Sequence, residues 1–146
     1  MLCLQISGFP NMFMDYSPQS PTALSNGPTI IEAQVETVVD MIKKLEEEKA
    51  KSIEATKQAE MEWAGLCDMM VSPMGMPITE RLSMLTQYLQ SKYTLIPYTD
   101  SWWNGANIPG KKAQNLIYVG GINTYEGQMR ATMEGWKGFD VVSTKL

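Results

Sequence analysis

Two adjacent indoles, Trp102 and Trp103, lie in the run Ser101-Trp102-Trp103-Asn104-Gly105-Ala106-Asn107-Ile108-Pro109-Gly110-Lys111-Lys112. No hydrophobic period runs through it, and its Asn, Gly and Pro residues favour turns, so a loop is predicted. Indoles in a loop can pin it to a core, which composition alone favours, or they can stack on a flat ligand and donate an N–H to it. Other reactive groups are few. The chain has no His, and its two Cys, Cys3 and Cys67, stand far apart without Cys-x-x-Cys spacing. That pattern suggests neither a disulfide framework nor a zinc site. No thiol with a base and no metal cluster offers a constellation for independent catalysis.

The elements that would position these residues are legible in part. Leu2, Leu4 and Ile6 alternate with Cys3 and Gln5 before Gly8 and Pro10, which predicts a short core strand ending in a turn. Asp15 to Asn26 is rich in Pro, Ser, Gln and Thr and reads as a loop. Asn26 then suits an N-cap, Gly27 and Pro28 suit the first turn, and Glu32 complements the positive end of the helix dipole. Ile31, Val35, Val38, Ile42 and Leu45 recur at spacings of four and three, predicting a buried helix face that runs to about Glu48.

Glu46 to Lys57 is a mixed-charge stretch that suits a solvated helix face. Ser52 is a plausible N-cap for a second helix, on which Ala55, Ala59, Trp63, Leu66 and Met70 share one face, so a helical hairpin is expected with Trp63 in the core. Further on, Leu116 to Val119 predicts a short strand ending at Gly120-Gly121, where backbone can approach a neighbour closely. Tyr125 to Glu134 predicts a helix stopped by Gly135, with Met129 and Met133 on one face, and Trp136, Phe139, Val141 and Val142 supply a last apolar patch.

The 146 residues are enough to bury a core, and their net charge of −4 comes without a basic stripe, so nucleic-acid binding is not expected. No run approaches the length of a membrane span, and the start lacks a basic lead and a signal-type apolar stretch. No membrane association and a cytoplasmic location are the expectations.

Three ordered motifs carry a resemblance. Ser7-Gly8-Phe9-Pro10-Asn11 with Pro18-Gln19-Ser20-Pro21-Thr22-Ala23-Leu24-Ser25-Asn26, the Trp102 run with Tyr118-Val119-Gly120-Gly121, and Gly135-Trp136-Lys137-Gly138-Phe139 resemble the carboxyl-terminal region of Baeyer–Villiger flavin monooxygenases. The resemblance covers roughly the last third of such an enzyme. It implies an α/β fragment: the C-terminal part of an FAD-binding, Rossmann-type domain plus the helical hairpin, mostly helical with a few short strands. The family's two Gly-x-Gly-x-x-Gly units for FAD and NADPH are absent from this chain, as are its His-containing fingerprint and its catalytic Arg.

By resemblance, the loop holding Gln19, Thr22, Ala23 and Leu24 passes beside the flavin ring and the substrate pocket, and the helix opening at Asn26 points at the ring's pyrimidine edge. Free N–H groups at a helix amino terminus would stabilise negative charge on a reduced flavin. Trp102 would close over NADPH and contact it. Asn107, with Gly105 and Gly110, would supply turn and hinge dihedrals to that lid.

The family pattern breaks at Val71 to Gln90, which has no counterpart in the expected spacing. Val71-Ser72 can be encoded by a splice-donor sequence, Leu85-Thr86 by a branch site and Gln90 by an acceptor, so a retained intron of fungal type is expected; the other possibility is a surface insertion with a short helix over Thr79 to Leu89. Met1 is likewise expected to be internal to a longer reading frame. The expected organisation is 1–70, the end of the FAD domain and the helical hairpin; 71–90, the insertion; and 91–146, the cofactor-covering loop with a strand–helix return.

Two functions follow. The first is the C-terminal portion of an FAD- and NADPH-dependent monooxygenase of a biosynthetic pathway, which inserts oxygen beside a ketone to give an ester or lactone and is inactive without the absent domains. Its partners would be a ketone substrate and a separate dinucleotide-binding chain. The second is a non-catalytic remnant or interaction protein without cofactor, exposing Ile31, Val35, Val38 and Trp136.

Overall fold

A computed structural model of the chain describes residues 3–22, 25–71, 100, 104–111 and 114–143. Among them run helix α1 (Gly27–Glu47), strand β1 (Ala50–Ala55), helix α2 (Lys57–Val71), helix α3 (Ile122–Met133) and strand β2 (Phe139–Ser143). β1 and β2 form an antiparallel two-stranded sheet, with Ile53 opposite Val141, Ala55 opposite Phe139 and an irregularity between Ala50 and Ser52. The insertion beyond Val71 lies outside the described residues.

α1 begins where the sequence places it. Asn26 is the N-cap, Ile30 N–H donates to its carbonyl at 3.2 Å, and Pro28 sits in the first turn, but the Asn26 side chain makes no capping bond. Glu32 falls beyond the first turn, which carries no acid, so the expected dipole compensation is absent. The expected buried stripe is also corrected. The buried face is Ile30, Ala33, Gln34, Thr37 and Met41, whereas Ile31, Val35, Val39 and Ile42 are 39%, 42%, 42% and 42% exposed. One residue is a rotation of about 100° on a helix, so the core faces the neighbouring row. The polar members of that row are satisfied internally: Thr37 Oγ1 donates to the Ala33 carbonyl at 2.8 Å, and Gln34 joins the network described below.

The helical hairpin is replaced by a helix–strand–helix unit. The chain leaves α1 through Lys49, whose φ of 54° is left-handed, and enters β1. Ser52 is therefore a strand residue, and the cap of α2 is Thr56, whose Oγ1 accepts from Ala59 N–H at 3.1 Å. Helix-forming residues in 46–57 were overridden by pairing with 139–143, a partner that local pattern does not reveal.

The predicted strand at the start is another correction. Residues 3–6 form turn and loop, with Cys3 at φ 60°. This segment is fastened across β1 instead: Asn11 N–H donates to the Ile53 carbonyl at 2.9 Å, and Asn11 Oδ1 accepts from Ile53 N–H at 3.0 Å. Residues 116–119 likewise carry no strand, although Ile117, Tyr118 and Val119 are buried. α3 starts a turn earlier than predicted and ends before Gly135, whose φ of 78° suits the stop.

The core joins these elements around three rings. Trp63 is 5% exposed and stacks on Tyr118 at 5.0 Å and 15°, with Tyr125 tilted against both. Met41 and Ala33 of α1, Ile53 of β1, Cys67 and Met70 of α2 and Met129 of α3 fill the space around them. Of the last apolar patch, Phe139 is buried and Val141 packs on the core, but Val142 is exposed. Trp136 is half-buried, donating its indole N–H to Glu48 Oε2 at 2.6 Å beneath the Lys44 ammonium.

Candidate cofactor-facing site

Two loops meet beside the amino terminus of α1. The first is 17–22. Gln19, at φ 68°, donates its backbone N–H to the Leu116 carbonyl at 2.7 Å and its Nε2 to the Asn115 carbonyl at 3.3 Å. Tyr118 N–H returns to the Ser20 carbonyl at 3.1 Å. These three bonds join a loop near the start of the chain to a segment about a hundred residues later.

Behind the loop lies a buried polar cluster. Gln34 Nε2 donates to Tyr125 Oη at 2.7 Å and to Ser20 Oγ at 3.0 Å, and Gln34 Oε1 accepts from Tyr16 N–H at 2.7 Å. Cys3 Sγ lies 3.1 Å from Ser20 Oγ and 3.0 Å from Tyr125 Oη. One side chain of α1 thus fixes both ends of the loop, because buried polar groups must find partners inside the protein.

The second loop is 104–111. Gln114 N–H closes it by donating to the Asn104 carbonyl at 2.8 Å, and Asn104 Oδ1 accepts from Ala106 N–H at 3.0 Å. Gly105 and Gly110 take φ of 70° and 78°, conformations that glycine adopts without a Cβ penalty. Asn115 anchors the base: its Nδ2 donates to the Cys67 and Ile117 carbonyls at 2.7 Å each, its Oδ1 accepts from Ile117 N–H at 3.2 Å, and its N–H donates to Asp68 Oδ1 at 3.3 Å.

Of the predicted site residues, the structure places Gln19 and Thr22 half-buried in the first loop, Asn26 exposed at the start of α1, and Asn107 exposed in the second loop. Ala23, Leu24 and Trp102 lie outside the described residues. The two loops are brought together through Gln19, Asn115 and Leu116. Sequence reasoning did not identify Ser20, Gln34, Asn115 or Tyr125 as the groups that organise them. The one signal was a glutamine at a core-facing helical position four residues after Ile30.

Electrostatics favour neutral forms here. Burial pushes the Cys3 thiol up against smaller opposing effects of its hydroxyl partners, and burial with Cys3 and Asp68 nearby pushes Cys67 up as well. Burial, then Cys67, raises Tyr118 to about 12, and burial with Cys3 nearby raises Tyr125 further. These groups act as hydrogen-bonding and packing elements at neutral pH. Among the described residues no group of His, Cys, Asp and Glu could hold a metal ion, and no helix is long and apolar enough to cross a membrane.

No family model matches the chain. Curated proteins do. It is 34% identical over 137 residues to cyclohexanone 1,2-monooxygenase of Acinetobacter sp., covering 93% of this chain and 21% of that protein. It is 37% identical over 126 residues to a Baeyer-Villiger monooxygenase of Pseudooceanicola batsensis, covering 86% and 19%. Its fold superposes on crystalline cyclohexanone monooxygenase from Rhodococcus sp. Phi1 bound to NADP+ with a TM-score of 0.73 and 32% identity, covering 98% of this chain and 23% of the other. The chain therefore spans about a fifth of the length of the curated relatives it matches.

Proposed function

The chain belongs to the Baeyer–Villiger flavin monooxygenases as a stretch of their carboxyl-terminal region, and on that premise we propose that it covers the FAD and NADPH sites of such an enzyme. The observation that carries this is the junction of the two loops at the amino terminus of α1, where Gln19 bonds to Asn115 and Leu116. The first turn of α1 carries no acid and Asn26 makes no side-chain capping bond, so its N–H groups and positive end suit an electron-rich flavin edge. Bound FAD, reduced by NADPH, would supply the oxygen-insertion chemistry that turns a ketone into an ester or lactone. Gln19, Thr22, Ala23, Leu24 and Asn26 would line the flavin side, with Trp102 and Asn107 on the nicotinamide-cofactor side. This chain's own work is to hold those loops at a fixed separation and to exclude water.

The exposed row Ile31, Val35, Val39 and Ile42 supports a chain that works against further polypeptide, since it faces away from its own core. In the proposed arrangement that polypeptide is the Rossmann-type, dinucleotide-binding part of the enzyme, whether in one chain or as a separate one. The same arrangement divides this chain into 1–70, 71–90 and 91–146, with 71–90 a retained intron; a transcript that keeps the codons for 71–90 in every mature copy would overturn that division.

The test is complementation. Purified chain alone is expected to be colourless and to give no NADPH oxidation. Mixed with a polypeptide carrying the remaining part of the Acinetobacter relative, it is expected to give NADPH oxidation that rises with cyclohexanone. Ketone-stimulated turnover by the chain alone would contradict the proposal, and a chain that never associates would favour a non-catalytic remnant.

A further inference from the structure

A second concavity lies on the opposite side of the aromatic core, between α2 and α3. It encloses about 330 Å³ and is lined by Trp63 and Leu66 of α2, Gln128, Ala131 and Thr132 of α3, and Lys137 just beyond it, with Glu62 at the rim. That volume is at the lower end of small-molecule sites. Its floor is the edge of the Trp63 indole, whose face is already taken by Tyr118.

The Trp63 Nε1–H is buried and has no hydrogen-bond partner among the described residues. Such a donor costs about 1–3 kcal/mol if it stays unpaired, and more than nine in ten buried polar groups do find a partner. A second donor stands nearby. Gln128 Oε1 accepts from Tyr118 Oη at 3.1 Å, which turns that amide so that its Nε2, with no partner among the described residues, is available on the cleft side of α3. Lys137 adds an exposed ammonium, while the one carboxylate at the rim, Glu62, is engaged by Gln58 Nε2 at 2.8 Å. Thr132 Oγ1 is spent on the carbonyls of its own helix. The wall is apolar and the polar groups on offer are donors.

We propose that this cleft is a binding site for a small, compact apolar molecule that presents a carbonyl or carboxylate oxygen, accepted by Trp63 Nε1–H with Gln128 Nε2 as second donor. The apolar body lies against Leu66 and Ala131. The site is separate from the loop junction proposed to face the cofactors, and it does not depend on that proposal.

The test uses the chain itself, labelled with ¹⁵N, and follows the Trp63 indole N–H resonance, identified by its loss in Trp63→Phe. Benzamide and benzoate are the probes, matched in size and differing in charge. Each is expected to move that resonance downfield and saturably, with a Kd on the order of 1 mM. Ala131→Phe, at an exposed position that fills the cleft without touching the core, is expected to weaken both at least about tenfold. Lys137→Met is expected to weaken benzoate alone. A Trp63 resonance that stays put or drifts linearly with both probes, or an unchanged response in Ala131→Phe, would overturn the assignment and leave water as the partner of the indole.

Discussion

Gln34 Nε2 and Tyr125 Oη meet at 2.7 Å inside the core, joining α1 to a helix that begins almost a hundred residues later. The same amide holds Ser20 Oγ and Tyr16 N–H, so three groups depend on one side chain. Gln34→Leu keeps the volume and orphans all three. It is expected to lower unfolding free energy by about 2–4 kcal/mol, measured by urea denaturation. A loss below about 0.5 kcal/mol would mean that the cluster is rebuilt around Cys3.

Gly120 makes a steric prediction. A Cβ built there would stand 2.3 Å from Tyr118 Oη, closer than any real contact, and the Tyr118 ring is wedged against Trp63. Gly120→Ala is expected to cost about 1–3 kcal/mol and to shift the near-ultraviolet circular dichroism of the aromatic cluster. An unchanged spectrum with unchanged stability would show that the ring has room to move.

The exposed row on α1 predicts tolerance. Val35→Lys is expected to change stability by less than about 0.5 kcal/mol and to reduce binding of a hydrophobic dye, whereas Met41→Ala on the buried row is expected to cost about 2–5 kcal/mol. If the lysine variant unfolds the chain, the row is core after all and the helix is rotated from the position described.

Much of this was legible in the chain before any coordinates. The start of α1 followed from Asn26 and Pro28, Trp63 was placed in the core from its face of α2, and Gly135 marked the end of α3. The α1 stripe was misassigned because the helix is apolar on two sides, and periodicity cannot say which one meets this chain's own core. β1 was hidden because Ala50 to Ala55 reads locally as helix and becomes strand only through Phe139 to Ser143. At the site, the Pro-Gln-Ser-Pro loop was visible as a loop, but its tethers to Gln34, Asn115 and Leu116 are long-range bonds between unremarkable residues.

The alkaline limb of stability is the last prediction. The Tyr118 phenol goes from about 10 unfolded to about 12 folded, so the folded state holds its proton more tightly. Stability from this group is therefore complete below pH 10 and falls as pH rises to about 12; the raised thiols of Cys3 and Cys67 begin the same fall near pH 9. Denaturation midpoints measured from pH 8 to 11.5 are expected to decline throughout, and Tyr118→Phe should flatten the upper part. Stability that rises over that range would contradict the assignment.

The bonds from Gln19 and Ser20 to Leu116 and Tyr118 also set an order of events during synthesis. A ribosome that has released the chain as far as α2 has exposed the 17–22 loop without any of its later tethers, because Asn115, Leu116, Tyr118 and Tyr125 have yet to emerge. Domains generally take shape as their chain is completed, and contacts of long sequence separation come late. The earliest segment translated thus waits for the latest, and a nascent chain stalled before Asn115 would hold α1 with its amino-terminal loop still unfastened.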